Sequence, residues 1–155
     1  MILDADHAAF VQTGVAIEIA SRDAHNVPSV ARAVAARVAP DRSRLTLFVP
    51  RAFGVRCLNA VAVTGAVAAA FCRPTTIQTI QLKGSDAVLT PVTPGDLPHV
   101  RAMIAAFVSE LRAIGHSTDL ALLDVTHDPA DLVGVTFSPD AAFVQTPGPA
   151  AGARL

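Results

Sequence analysis

The sequence predicts an antiparallel β-barrel with helical additions, a mainly β fold, and three features lead there. Short apolar segments with period-two alternation recur along the chain, turn residues separate them, and a single long stretch carries a helical period. Neither strand–helix–strand alternation nor an internal repeat is present, so a parallel sheet or a solenoid is not expected. The 155 residues are expected to form a single domain over 1–155, long enough to bury about two thirds of the surface that the unfolded chain exposes.

The first strand is expected over residues 14–21, where Val15, Ile17 and Ile19 alternate with Ala16, Glu18 and Ala20. Residues 28–38 read two ways. Alanine and arginine favour a helix, whereas Pro28 in front and the Pro40-Asp41-Arg42-Ser43 turn behind suit a hairpin. The strand after that turn, 44–50, would point Leu45, Leu47 and Val49 inward. Residues 51–63 set Phe53, Cys57, Leu58 and Val61 at helical spacing before Gly65, which predicts a short connecting helix with Arg56 in its early turns.

Residues 66–71 and 77–90 follow as strands, the second long enough to bend across a barrel and kinked at Lys83-Gly84-Ser85. Thr93 as cap, Pro94 at the first position and Asp96 in the first turn predict a long amphipathic helix. Its apolar face is Leu97, Val100, Ile104, Phe107, Leu111 and Ile114, and Gly115 closes it. Residues 132–137 and 141–146 would flank Ser138-Pro139-Asp140 as a closing hairpin, with a loop from 147 to 155. The expected total is about seven strands, one long helix and one short helix.

Composition narrows the function. With 52% hydrophobic and 16% charged residues and a mean hydropathy of +0.46, a chain of this size has too little polar surface to cover itself, so a two-fold homodimer is expected. A net charge of -1 provides no broad basic field, and tyrosine and tryptophan are absent, so nucleic acid is not an expected partner. The first ten residues hold two aspartates and a histidine where a signal peptide needs a basic start and an apolar run. Since no stretch of about 18 apolar residues is uninterrupted, a cytoplasmic protein without a membrane partner is expected. Cys57 and Cys72, fifteen residues apart and outside any CxxC pair, read as buried thiols and not as zinc ligands or a disulfide framework.

Three cations remain to be explained. Arg32, Arg37 and Arg56 lie in or beside apolar segments, and a guanidinium buried without a partner costs several kcal/mol. The cluster therefore points to a bound anion, to ion pairs, or to positions on a rim. Arg37 follows Arg32 by five residues, an odd interval that sends the two side chains to opposite faces of a regular strand. Solvated edge arginines, or pairs with some of the eleven aspartates, are the competing account.

Other chemistry has little support. The five histidines are scattered singly with no metal-binding spacing, and His127 with Asp124 and Asp128 lacks any nucleophile elbow for a hydrolase. Lys83 reads as a solvated bend, and Glu18 and Glu110 as surface residues.

The ordered set PSVARAVAARV, LTLFVP, GVRCLNAV, AVAAAF and QTIQLKG, spanning roughly residues 10–90, resembles the pyridoxamine 5'-phosphate oxidase-like flavin-binding split barrels. The later VGVTF and AFVQTPGPAAG are consistent with relatives in that group. The resemblance implies an antiparallel split β-barrel that binds flavin mononucleotide (FMN) at a homodimer interface. Arg32 matches the arginine of the family's Arg-x-Val-x-x-Lys strand pattern, Val34 its valine, and Arg37 replaces its lysine with the charge kept. These positions contact the flavin in the family. Val55-Arg56-Cys57 stands in place of a Ser-Arg-Lys, with only the arginine retained. Val49 and Pro50 lie where the next strand borders the isoalloxazine ring, and Gln78 and Thr79 replace an Arg-Gln pair.

A phosphate favours bidentate guanidinium contact, and free donors in a first helical turn add to it, so Arg32 and Arg56 are the preferred phosphate ligands. The arginine-rich closing segment with which the oxidase grips its substrate is not seen in QTPGPAAGARL, so oxidation of pyridoxamine phosphate itself is not expected. The resemblance thus implies an FMN-dependent oxidoreductase acting on a small molecule. A flavin- or haem-binding sensor or stress module comes second and a cofactor-free dimer third. No catalytic residue and no metal ligand is named.

Overall fold

The alternation near the N-terminus builds β1 (Ala16–Arg22), whose Ile17 and Ile19 are buried while Glu18 faces out. The computed structural model, which describes residues 3–123 and 125–155, places β1 inside a five-stranded antiparallel sheet. The other strands of that sheet are β2 (Pro28–Ala33), β5 (Val67–Cys72), β6 (Thr79–Gly84) and β9 (Ala141–Val144), in the order β2-β1-β5-β6-β9. The second sheet has four antiparallel strands, β3 (Ala35–Val38), β4 (Leu45–Pro50), β8 (Leu132–Phe137) and β7 (Val88–Pro91), in the order β3-β4-β8-β7. Ile17, Ile19, Phe71 and Leu82 from one sheet and Leu45, Leu47, Val49, Val135 and Phe137 from the other share one core.

Two of the seven expected strands divide, which gives nine among the described residues. Residues 28–38 are extended and not helical, but they change sheets at Val34, whose N–H donates to Phe48 O at 2.8 Å and so keeps the ladder paired through the bend. Residues 77–90 change sheets after Gly84, at the expected kink. A Cβ on Gly84 would stand 2.6 Å from the Phe137 ring and 2.9 Å from Ser138 O.

The expected closing hairpin is not formed. β8 pairs with β4 and β7, while β9 pairs with β6. The link between them is a third crossing, because its donors are engaged elsewhere and Pro139 has none. Ser138 N–H donates to the Asp86 carboxylate at 2.8 Å, and Asp140 N–H donates to Lys83 O at 2.9 Å. The last residues are likewise more than loop. Arg154 bridges to Phe143, and Val144 N–H donates to Ala153 O at 2.9 Å, so the tail covers the free edge of β9.

The connecting helix α2 (Arg51–Thr64) ends where Gly65, at φ 66°, donates its N–H to Val61 O. It packs against β1, β2 and β7 through Gly54, Cys57, Leu58, Ala60 and Val61. Phe53 is not on that buried stripe, contrary to its spacing, and is 74% exposed. Gly54 lies against Val49, where a Cβ would come within 2.8 Å of its Cγ1, and this contact turns Phe53 outward.

The long helix α3 (Leu97–Ala113) starts later than Thr93 suggests. Asp96 occupies the cap position, but its carboxylate turns back to accept from the N–H and the hydroxyl of Thr93, both at 2.8 Å. Two six-residue helices, α1 (Ala5–Phe10) and α4 (Thr118–Leu123), were not expected, since fewer than two turns display no period. Ala121 of α4 joins Phe107, Leu111 and Val125 in a small second cluster. Among the described residues no helix is long and apolar enough to cross a membrane.

Gly84→Ala is expected to destabilise the protein by about 1–3 kcal/mol, the scale of an overpacked core, through the Phe137 contact. Urea unfolding should show a lower midpoint, whereas the exposed neighbour substitution Ser85→Ala should stay within about 0.5 kcal/mol of the parent.

Candidate functional site

Edge strand β2 alternates its side chains, so Ala31 and Ala33 point into the core while Val30 and Arg32 face out. The exposed side of α2 lies alongside and presents Phe53, Val55, Arg56 and Val63. Between them runs a furrow of three adjoining grooves. The middle one, about 430 Å³, is lined by Ser29, Val30, Phe53, Val55 and Arg56 and, among the described residues, by no acidic one. Phe53 is shared with a groove of about 220 Å³ beside Arg32, Val34, Pro50 and Leu123. Ser29 and Arg56 are shared with another of about 220 Å³ that reaches Asp23, Val27 and Val63.

The arginines differ in their partners. Arg32 faces Glu18 across the strand pair, with Nε 3.6 Å from a carboxylate oxygen, and its guanidinium lies over the Phe107 ring. Arg56 stands in the second turn of α2, and no ion pair is formed by it among the described residues. Its acidic neighbour is Asp23, held below the usual carboxylate range first by the N–H of Val27, 2.9 Å away, and lastly by the Arg56 charge. The first turn of α2 is partly satisfied already, since Ala52 N–H donates to the Asp131 carboxylate at 2.7 Å.

Of the residues selected from the sequence, Arg32, Val34, Pro50 and Arg56 line the furrow. Val49 sits behind it in the core. Arg37 is on β3 in the other sheet, paired with the buried Asp96 and over the Phe48 ring. Gln78 and Thr79 lie at the start of β6, with β1 and β5 between that strand and β2. Thr79 is engaged locally, its N–H on Thr146 at 2.9 Å and its hydroxyl on Ile77 O at 2.9 Å. Asp124 lies outside the described residues.

Sequence reasoning passed over Phe53, Ser29 and Leu123. Only an aromatic residue next to a helical glycine hinted at the first, and nothing local marks the other two. The Ser29 hydroxyl is buried with the Cys57 thiol as its neighbour. Burial pushes that thiol upward from its ordinary pKa, against the smaller opposing effect of Ser29.

No protein-family model matches the chain, and no curated protein matches it by sequence. Solved structures do match. HupZ from Group A Streptococcus aligns with a TM-score of 0.58 at 12% identity, over 97% of this chain and 100% of that one. A candidate pyridoxamine 5'-phosphate oxidase from Lactobacillus delbrueckii aligns at 0.53 and 11%, over 92% and 94%. The chain has the pyridoxamine 5'-phosphate oxidase-like split-barrel fold. A further split barrel, HutZ, the haem storage protein from Vibrio cholerae, aligns at 0.51 and 15%, over 93% and 95%. At such identities the likeness concerns the backbone of the split barrel, so the chemistry of its furrow has to be read from its own side chains.

The two thiols of this split barrel should differ. Cys57 is buried with a raised pKa, whereas Cys72 is only half-buried, a departure from the expectation that both are core thiols. A thiol reagent at pH 8 is expected to label Cys72 first and Cys57 only on unfolding, which mass spectrometry of timed samples will read.

Proposed function

We propose that this split barrel binds FMN in the furrow between β2 and α2 as a homodimer and uses it for redox chemistry on a small molecule. The observation that carries the reading is the middle groove, where the Arg56 guanidinium and the exposed Phe53 ring flank a cleft that none of the described acidic residues lines. FMN combines a dianionic phosphate with a flat apolar ring, so one cation and one aromatic face meet its two halves. Arg56 would hold the phosphate, Phe53 with Val30 and Val55 would contact the ring system, and Arg32 would reach the ligand from the adjoining groove. Bound flavin would supply hydride-transfer chemistry, and these residues would bind it, orient it and exclude water.

The rim supports the dimer reading. Val27, Val30, Phe53, Val55 and Val63 are all about half exposed or more along one furrow, an apolar strip that a second copy would cover. The same partner would bring in the Gln78-Thr79 corner, too distant within one chain. Haem is the competing ligand, favoured by the likeness to HutZ. Among the described residues, those lining the three grooves include no histidine, cysteine, methionine or tyrosine to serve as an axial ligand.

Titration with FMN is expected to quench its fluorescence saturably. Arg56→Ala should weaken binding by about ten- to a hundredfold, the 1.5–3 kcal/mol of a charge-assisted hydrogen bond, and Phe53→Ala should weaken it by a smaller factor. Absence of quenching, or equal affinity in Arg56→Ala and the parent, would refute this assignment. A Soret band on adding haemin, with no response to FMN, would transfer the site to haem.

A further inference from the structure

The outer face of the four-stranded sheet carries a second cavity, about 370 Å³, that is separate from the furrow and lined by Arg37, Arg44, Thr46, Thr90 and Thr136. These residues meet through strand register. Arg37 stands opposite Thr46 on β4, Thr46 opposite Thr136 on β8, and Thr136 opposite Val88 on β7, with Thr90 one step along. From this arrangement we infer that the cavity is a binding site for a small oxyanion, phosphate or carboxylate, that also carries hydroxyl groups. The inference is independent of the FMN reading.

The donors are in place. Arg37 spends one guanidinium nitrogen on Asp96, yet its side chain is 46% exposed, and a guanidinium offers five N–H groups in a planar fork. Asp96 fixes this fork from behind and is itself buried, so Arg37 is held in one orientation over Phe48 with its remaining donors free for a ligand. Arg44 adds a charge that no carboxylate contacts among the described residues. Its acidic neighbour, Asp86, acts through space, and that carboxylate is engaged by the Ser138 N–H.

The hydroxyls are also preset. Thr136 Oγ1 lies 2.9 Å from Thr46 Oγ1 and 3.0 Å from Thr90 Oγ1. Three hydroxyls carry three protons and the two contacts consume two, so one proton remains to donate and each oxygen keeps acceptor capacity. Gly134 makes the floor possible, because a Cβ there would collide with the Thr90 hydroxyl and come within 3.3 Å of Thr46. A site with cations at one side and a hydroxyl row along its floor matches a ligand with a charged head and a hydroxylated body.

Calorimetric titration of the full chain with inorganic phosphate, glycerol 3-phosphate and malate tests the site. At least one of the three should bind saturably at one per chain, and the preferred one identifies the oxyanion. Arg44→Ala should weaken that binding about tenfold or more, and Thr136→Val, which keeps the shape, should weaken it measurably. Arg56→Ala, in the furrow, should leave it unchanged, and thermal unfolding will verify that each variant is folded. Lack of saturable binding by all three overturns the inference. So does binding that Arg56→Ala removes and Arg44→Ala spares, or an affinity untouched by Thr136→Val, which would leave bare surface charge alone.

Discussion

Besides the passage from β4 through α2 to β5, the chain leaves one sheet and enters the other directly at Val34, after Gly84 and through Ser138 to Asp140, and these three direct crossings constrain the rest of the molecule. A backbone that crosses a core boundary must keep its polar groups paired, and each crossing does so with a different device. Val34 bonds directly to Phe48, the second crossing is admitted by a glycine under the Phe137 ring, and the third hands its donors to Asp86 and Lys83. Because both sheets are stitched together in this way, a single apolar interior serves both, and one helix, α2, packs along the gap beside β2.

The furrow is a consequence of that closure. β2 is the first strand of its sheet and departs for the other sheet at Val34, so its outer edge has no strand neighbour, and α2 covers only its inward side. What α2 turns outward beside it is decided by Gly54. A side chain there would strike Val49, and the helix consequently seats with Phe53 facing the solvent and Arg56 next to the cleft. The same crossing sets Arg32 and Arg37 on different sheets, and hence in different cavities.

Much of this was legible beforehand. The period of two at Val15, Ile17 and Ile19, the inward Leu45, Leu47 and Val49, and the kink at Gly84 are local signals, and the structure bears them out. The closing hairpin failed because three residues between two apolar runs look alike whether the runs pair with each other or with distant strands. The start of α3 failed because Asp96 is used by Thr93 and Arg37, and the second of these lies 59 residues away. Within the candidate site, Arg32 and Arg56 could be selected as cations in apolar surroundings, but Ser29 and Leu123 have no such mark. They join the furrow only through folding.

By itself the sequence determined the fold class, the order of its principal strands, the long helix and the excess of apolar surface, since each depends on residue type and spacing within one element. Tertiary structure alone decided which strands pair, which arginine acquires a carboxylate, and that one aromatic ring faces out. Those outcomes depend on groups brought together across the barrel, and period and propensity contain no information about distance between elements.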